Sequence, residues 1–185
     1  GNPAFTYSGG TAQGVLLEGA RTNLLTYSEQ FDNAAWTKPN SFITADDAVA
    51  PDGTLAADKF YENAVNIQHL MYSAAITKAA SALQYTGVIY AKAAGRSHVE
   101  VRLTNINGNA YSRITVNLTT GAITAPASAV FTGHVYSVVD SGNGWWKIIQ
   151  TTTSDTDTGL RLQLFLHDGT TNSYAGDGAS GIYLW

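Results

Sequence analysis

The sequence contains no cysteine, which excludes disulfide bonds, thiolate metal sites and a cysteine nucleophile. Charged residues are also scarce, at 13% of the 185 residues, about half of their usual share. The lysines and arginines form no basic run and the net charge is -4, which disfavours a nucleic-acid partner because phosphate binding needs clustered positive charge. No apolar run approaches the length of a membrane span, and the first residues do not resemble a signal peptide. We therefore expect a neutral, polar surface with neither a nucleic-acid partner nor a membrane span.

Hydrophobic residues are plentiful by contrast, at 44% of the chain, and they suffice for a core that needs no covalent cross-link. A β-sandwich of this length is most simply one domain. The Gly-rich residues 1–23 are predicted to form an extended arm that docks along the sandwich or on a neighbouring chain. Residues 24–185 are predicted to form the domain itself.

Alternation of apolar and polar residues with a period of two predicts short strands through most of this domain. The pattern is clear in residues 98–104 and 111–118, and it is cleanest in residues 160–167, whose four leucines share one face. Turn signals such as the Asn-Gly step at 107–108 separate the strands. Further strands are predicted over residues 66–75, 84–93, 131–139 and 145–152.

Helical periodicity is confined to short segments, residues 56–62 and 74–82, and residues 28–36 favour a helical turn or a loop. The predicted fold class is therefore all-β: an antiparallel β-sandwich, most simply a jelly roll, with an extended N-terminal arm.

Four segments frame this pattern: RTNLL at residues 21–25, Trp36, NGWWK at residues 143–147 and YLW at residues 183–185. Together they resemble β-jelly-roll carbohydrate-binding modules, in the version carried by tail and fibre proteins of bacteriophages and prophages. The resemblance covers nearly the whole chain, and its motifs are structural rather than chemical. It implies a two-sheet sandwich with its first and last strands close together, a location on a virion or outside the cell, and binding of a polysaccharide or surface glycan through a concave sheet or rim loops.

The resemblance also raises the question of calcium, because many such modules hold a structural calcium between an N-terminal segment and an acidic residue of the last strand. Here residues 182–185 contain no carboxylate, and Asp177 is the nearby substitute. The residues themselves offer Asp155 and Asp157 as oxygen ligands in a loop, without a recognisable ligand loop around them. The sequence assigns no cofactor and leaves a structural calcium open.

Glycan binding needs aromatic faces that stack on the C–H side of sugar rings and polar groups that bind hydroxyls. The polar face of the predicted strands supplies both, and Glu100 with Arg102 is suited to clamp vicinal hydroxyls. Trp145 and Trp146 must point to opposite faces of their strand, whereas Trp36 is assigned to packing. Tyr61, Tyr72, Tyr90, Tyr111 and Tyr136 are candidates of lower weight, because Tyr is common in sheets regardless of ligand. The predicted ligand-binding residues are Glu100, Arg102, Arg113, Trp146, Gln163, Phe165 and His167. The competing interpretation is an ordinary solvated face with cross-strand ion pairs.

Catalytic signatures are sparse. A glycosidase needs two carboxylates about 5–10 Å apart, and Glu100 is the one glutamate in a clear predicted strand. Most aspartates occupy turns, the histidines lack metal-ligand spacing, and no serine lies in a nucleophile elbow. We predict a non-catalytic carbohydrate-binding or adhesion domain of a phage-like tail protein. The alternative is a structural module that decorates or joins virion subunits without a sugar ligand, which the Gly-rich arm favours.

Overall fold

The computed structural model is an antiparallel β-sandwich, which confirms the fold class predicted from the alternation. It describes residues 4–8, 11–16 and 22–185. No helix occurs in these ranges, and so none there is long and apolar enough to cross a membrane. The strands are β1 (Ala4–Ser8), β2 (Thr11–Leu16), β3 (Trp36–Thr37), β4 (Ser41–Val49), β5 (Leu55–Glu62), β6 (Asn66–Gln68), β7 (Leu70–Ser73), β8 (Ile76–Thr77), β9 (Gln84–Ala94), β10 (His98–Asn105), β11 (Tyr111–Asn117), β12 (Ile123–Ala129), β13 (Thr132–Asp140), β14 (Trp146–Thr153), β15 (Gly159–His167), β16 (Ser173–Ala175) and β17 (Gly181–Leu184).

Two large sheets make up the sandwich. The first sheet has the order β12-β11-β10-β15-β7-β3, with β8 paired to the beginning of β15. The second sheet has the order β13-β14-β9-β17-β5-β4, and β6 with β16 forms a small separate sheet. The chain passes repeatedly from one large sheet to the other, as in a jelly roll. The last strand, β17, lies between β5 and β9.

The core lies between the facing sheets. The four leucines of β15 are all buried, as their alternation predicts. Phe31 and Trp36 close the core at the N-terminal end, which confirms the packing role predicted for Trp36. Full burial of such a side chain stabilises the fold by about 1.5–3 kcal/mol. The other main core residues are Val99, Val101, Leu103, Ile114 and Val116 from the first sheet and Phe60, Ile89, Ile148, Ile182 and Leu184 from the second.

Both helical candidates are wrong. Residues 56–62 belong to β5, which pairs with β4 and β17 on its two sides, so tertiary pairing overrides the local helix preference of alanine. Residues 74–82 contain only the two-residue β8, and the buried Lys78 ammonium there donates to the carbonyls of Ala79, Ser81 and Asp155. For residues 28–36 the sequence predicted a helical turn or a loop. These residues form successive turns.

The predicted arm, residues 1–23, includes β1 and β2. These strands pair antiparallel as a hairpin in a sheet of their own, with a register irregularity between Thr6 and Tyr7. Residues 1–3, 9–10 and 17–21 of the predicted arm lie outside the described residues.

Candidate functional site

The outer face of the first sheet gathers most of the predicted ligand-binding residues. In the strand register, Arg102 on β10 lies opposite Arg113 on β11 and opposite Gln163 on β15. Gln163 in turn lies opposite Tyr72 on β7, so four side chains form one row across four strands. We call this surface the polar face; it comprises Tyr72, Glu100, Arg102, Tyr111, Arg113, Arg161, Gln163, Phe165 and His167.

Glu100 is the centre of the polar face. Its carboxylate accepts hydrogen bonds from Arg102 Nε at 3.1 Å and Nη2 at 2.5 Å. Arg113 Nη1 donates to the other oxygen at 2.6 Å, and Asn172 Nδ2 donates to it at 3.2 Å. Glu100 is only 1% exposed, whereas the Arg102 and Arg113 side chains are 17% and 31% exposed. Glu100 therefore lies on the predicted outward face of β10, but its guanidinium partners cover it.

Aromatic rings flank these arginines. The Arg102 guanidinium lies 5.1 Å from the ring centroid of Tyr111 and 4.6 Å from that of Phe165. Arg161 lies 5.0 Å from the ring centroid of Tyr72. These distances suit cation–π attraction. Phe165 also lies on the predicted outward face, but it is only 3% exposed because it lies beneath the Arg102 guanidinium.

His167 lies at the end of the polar face, on the predicted outward side of β15, and is only 8% exposed. The backbone N–H of Gly169 donates to its Nδ1 at 3.0 Å, so that nitrogen is unprotonated. Burial lowers the pKa of His167, against the opposing pull of the Asp168 and Glu100 carboxylates. A neutral imidazole at this place supports the turn after β15.

Trp146 lies on the other side of the sandwich from the polar face. Its ring packs partly buried against the main core, and its Nε1 donates to the Leu118 carbonyl at 2.8 Å. Gly121 lies so close that a Cβ there would collide with the ring. Trp145 points the opposite way and packs on the outer side of the second sheet, which confirms the predicted opposition of the two tryptophans.

The selection made from the sequence omitted four side chains that belong to the polar face or its border: Tyr72, Tyr111, Arg161 and Asn172. Arg161 alternates with the buried leucines of β15 in the same way as Gln163, so the sequence pattern could have identified it. Asn172 lies in the loop between β15 and β16 and contacts Glu100 from 72 positions away. No periodicity indicates such a contact.

No family model matches this sequence, and no curated protein is significantly similar to it. No binding residue can therefore be assigned from a related protein, and the candidate site is defined by the surfaces of the chain itself.

The carboxylates near the last strand already form ion pairs with a positively charged side chain, Arg96. Glu62, which is buried, forms an ion pair with Arg96 and accepts from Tyr174 Oη at 2.6 Å. Asp177 accepts from the Ser180 hydroxyl and from backbone N–H groups, and these bonds hold its pKa well below the usual range. Because Arg96 already supplies the positive charge, these residues do not fit the calcium ion that the resemblance implies.

Asp155 and Asp157 are likewise engaged. The Asn105 amide donates to Asp155 Oδ2 at 3.0 Å and to Asp157 Oδ2 at 3.3 Å, and it also contacts Asn109 Oδ1 at 2.7 Å. Within the described part of the chain, no three or more His, Cys, Asp or Glu side chains group as a metal site.

A cleft of about 690 Å³ lies beside β9, and the sequence did not predict it. Its walls are mostly apolar and include Leu24, Phe31, Tyr85 and Val88. Among the described residues no arginine lines the cleft, so its chemistry differs from that of the polar face.

Proposed function

We propose that this chain is a non-catalytic carbohydrate-binding domain that serves adhesion in a phage-like tail protein, and that it binds glycan on the polar face. The main support is the row of half-buried polar and aromatic side chains across β11, β10, β15 and β7. Neighbouring strands are about 4.8 Å apart, so this row is long enough to contact a short oligosaccharide. The framing segments around Trp36 and residues 143–147 support the phage-tail context.

The polar face offers both kinds of contact that sugars need. The half-buried rings of Tyr72 and Tyr111 provide apolar surface for the C–H side of a sugar ring. The guanidiniums of Arg102 and Arg113 provide N–H donors for hydroxyl oxygens. Because both are anchored to Glu100, ordering them for a ligand costs little conformational entropy.

The position of Glu100 favours binding over hydrolysis. Both of its oxygens are occupied by donors from Arg102, Arg113 and Asn172, so they are not free to exchange a proton with a glycosidic oxygen. Hydrolysis also requires a second carboxylate across the sugar, and Glu100 is the only carboxylate among the residues that define the polar face.

Gln163→Ala tests this proposal with little risk to the fold, because the Gln163 amide has no protein partner among the described hydrogen bonds. Affinity gels with bacterial-surface, plant and algal polysaccharides should show binding by the wild type. We expect Gln163→Ala to weaken binding about fivefold, the loss of roughly one hydrogen bond, without lowering the melting temperature. The matched control is Ser137→Ala, an exposed position on the second sheet, which should bind as the wild type does. No binding at millimolar ligand across the panel would reject the proposal.

The N-terminal hairpin favours a second candidate, a module that joins virion subunits without a sugar ligand. β1 and β2 pair with each other in a sheet of their own, and an isolated two-stranded hairpin is marginally stable in water. Such a hairpin gains stability by packing on another surface. Sedimentation of the full chain and of residues 22–185 distinguishes the candidates: a stable oligomer that is lost with the hairpin supports assembly, whereas unchanged monomers support recognition.

A further inference from the structure

The polar face is positively charged in a protein whose net charge is -4. Three of the five arginines of the sequence, Arg102, Arg113 and Arg161, lie on it. Among the described residues, Glu100 is the only carboxylate that forms an ion pair with any of them. The polar face therefore carries three guanidiniums and one carboxylate, and that carboxylate is buried beneath Arg102 and Arg113.

The carboxylates at the two ends of β15, Asp157 and Asp168, accept hydrogen bonds from groups in the adjoining loops. Asp157 Oδ2 accepts from Asn107 Nδ2 at 3.1 Å, and its Oδ1 accepts from the backbone of Thr158. Asp168 Oδ1 accepts from the backbone N–H groups of Thr170 and Thr171 at 2.7 Å each. Neither forms an ion pair with an arginine of the polar face.

Terminal guanidinium nitrogens on this face remain available. Arg102 Nη1, Arg113 Nη2 and Arg161 Nη2 donate to no group in the described part of the chain, and the Nε atoms of Arg113 and Arg161 are buried without a hydrogen-bond partner there. The one bond of Arg161 is a long contact of 3.5 Å from Nη1 to the Ile106 carbonyl. Arg102 and Arg113 are direct cross-strand neighbours, and the single Glu100 carboxylate that both contact balances only one of their two positive charges.

We propose that the glycan bound on the polar face is acidic, carrying carboxylate or sulfate groups that bind Arg102, Arg113 and Arg161. This inference rests on the proposed glycan-binding function. Guanidinium groups bind carboxylate and sulfate oxygens through paired, charge-assisted hydrogen bonds. An anionic group bound to these arginines balances the positive charge that Glu100 leaves uncompensated, while Tyr72 and Tyr111 contact the sugar rings. A neutral glycan supplies no such charge.

Matched pairs of polysaccharides test the charge requirement. Affinity gel electrophoresis compares polygalacturonate with its methyl ester, and dextran sulfate with dextran. We expect the acidic member of at least one pair to bind about tenfold or more tightly than its neutral partner. Its affinity should fall roughly tenfold between 50 and 500 mM NaCl, because salt screens partly exposed charges.

Arg161→Gln is the matched variant, since Arg161 is outside the Glu100 network. It should weaken binding of the acidic polysaccharide about fivefold or more at low salt. Lys147→Gln is the control: Lys147 lies over a tyrosine ring at 5.6 Å, but on the second sheet, and its loss should leave the affinity unchanged. Thermal melts of both variants verify that the fold is retained.

Three results would overturn the inference. Equal binding of neutral and acidic partners would leave glycan binding standing and remove the charge requirement. Equal binding of poly-L-glutamate would mean that charge alone is recognised, without a sugar. The absence of binding to every polysaccharide would reject both this inference and the proposed function.

Discussion

At Glu100 a single carboxylate holds two guanidiniums and one amide on the surface of the first sheet. Taking a charge out of water costs several kcal/mol unless the charge is paired and hydrogen-bonded. Here both carboxylate oxygens are satisfied, so the burial of Glu100 is compatible with a stable sheet. Removing the charge would instead leave Arg102 and Arg113 facing each other across the β10–β11 pair.

Glu100→Gln is therefore expected to lower the free energy of unfolding by about 2–4 kcal/mol, the cost of breaking a largely buried ion pair. Urea denaturation followed by tryptophan fluorescence measures the change. Glu29→Gln, at an exposed position, is the control and should stay within about 0.5 kcal/mol of the wild type. Equal midpoints for the two variants would mean that Glu100 is not the anchor of the face.

His167 makes stability depend on pH in a defined direction. Burial lowers its pKa below 6.5, so below pH 6.5 the unfolded state binds more protons than the folded state. The contribution is complete above pH 6.5 and is lost as the pH falls from there toward the folded pKa. Protonation of Nδ1 would also break the bond from the Gly169 N–H.

Melting temperatures of the wild type and His167→Gln between pH 7.5 and 5 test this effect. We expect the wild type to lose more stability on acidification than the variant does, whatever their difference at pH 7.5. The other histidines are present in both proteins, so they cancel in the comparison of slopes. Parallel pH profiles would contradict a buried neutral His167.

Among the elements, β17 depends on the absence of a side chain at its first residue. A Cβ at Gly181 would overlap the Phe60 carbonyl of β5, and backbone cannot move aside as a flexible side chain can. The Gly181 carbonyl also accepts from Arg96 N at 2.9 Å, which places Arg96 next to Glu62. We expect Gly181→Ala to destabilise the fold by at least about 2 kcal/mol.

Gly87→Ala is the control for that prediction. A Cβ at Gly87 would meet only the side chain of Leu103, at 3.4 Å, and this flexible group can adjust. We expect a change within about 1 kcal/mol in either direction, measured by thermal melting. If Gly181→Ala were as stable as Gly87→Ala, the close packing of β17 on β5 would be wrong.

The strands show which features of the fold can be predicted from the sequence. The alternation of leucines in β15 and the opposition of Trp145 and Trp146 predict strand faces, because the period of a strand is local. Burial within a face is not local: Glu100 is covered by Arg113 from the next strand and by Asn172 from a distant loop. For the same reason, the helical preference in residues 56–62 was misleading, since pairing with β4 and β17 decides that segment.

For the whole molecule, the two outer surfaces of the sandwich differ in character. The first sheet carries the polar face with its three arginines. The second sheet carries exposed aliphatic side chains, among them Val88, Val135 and Val139, together with the cluster around Trp145. This asymmetry predicts that a charged, hydroxyl-rich ligand binds the first sheet. Such a ligand should leave the second sheet unperturbed.

Backbone amide chemical shifts of the ¹⁵N-labelled full chain, recorded during titration with an oligosaccharide from the acidic polysaccharide that binds, test this account most directly. We expect saturable shifts in β10, β11 and β15 and at Tyr72, with little change in β13 and β14. Shifts concentrated around the cleft, in residues 22–31 and 84–90, would contradict the assignment of the polar face as the binding surface.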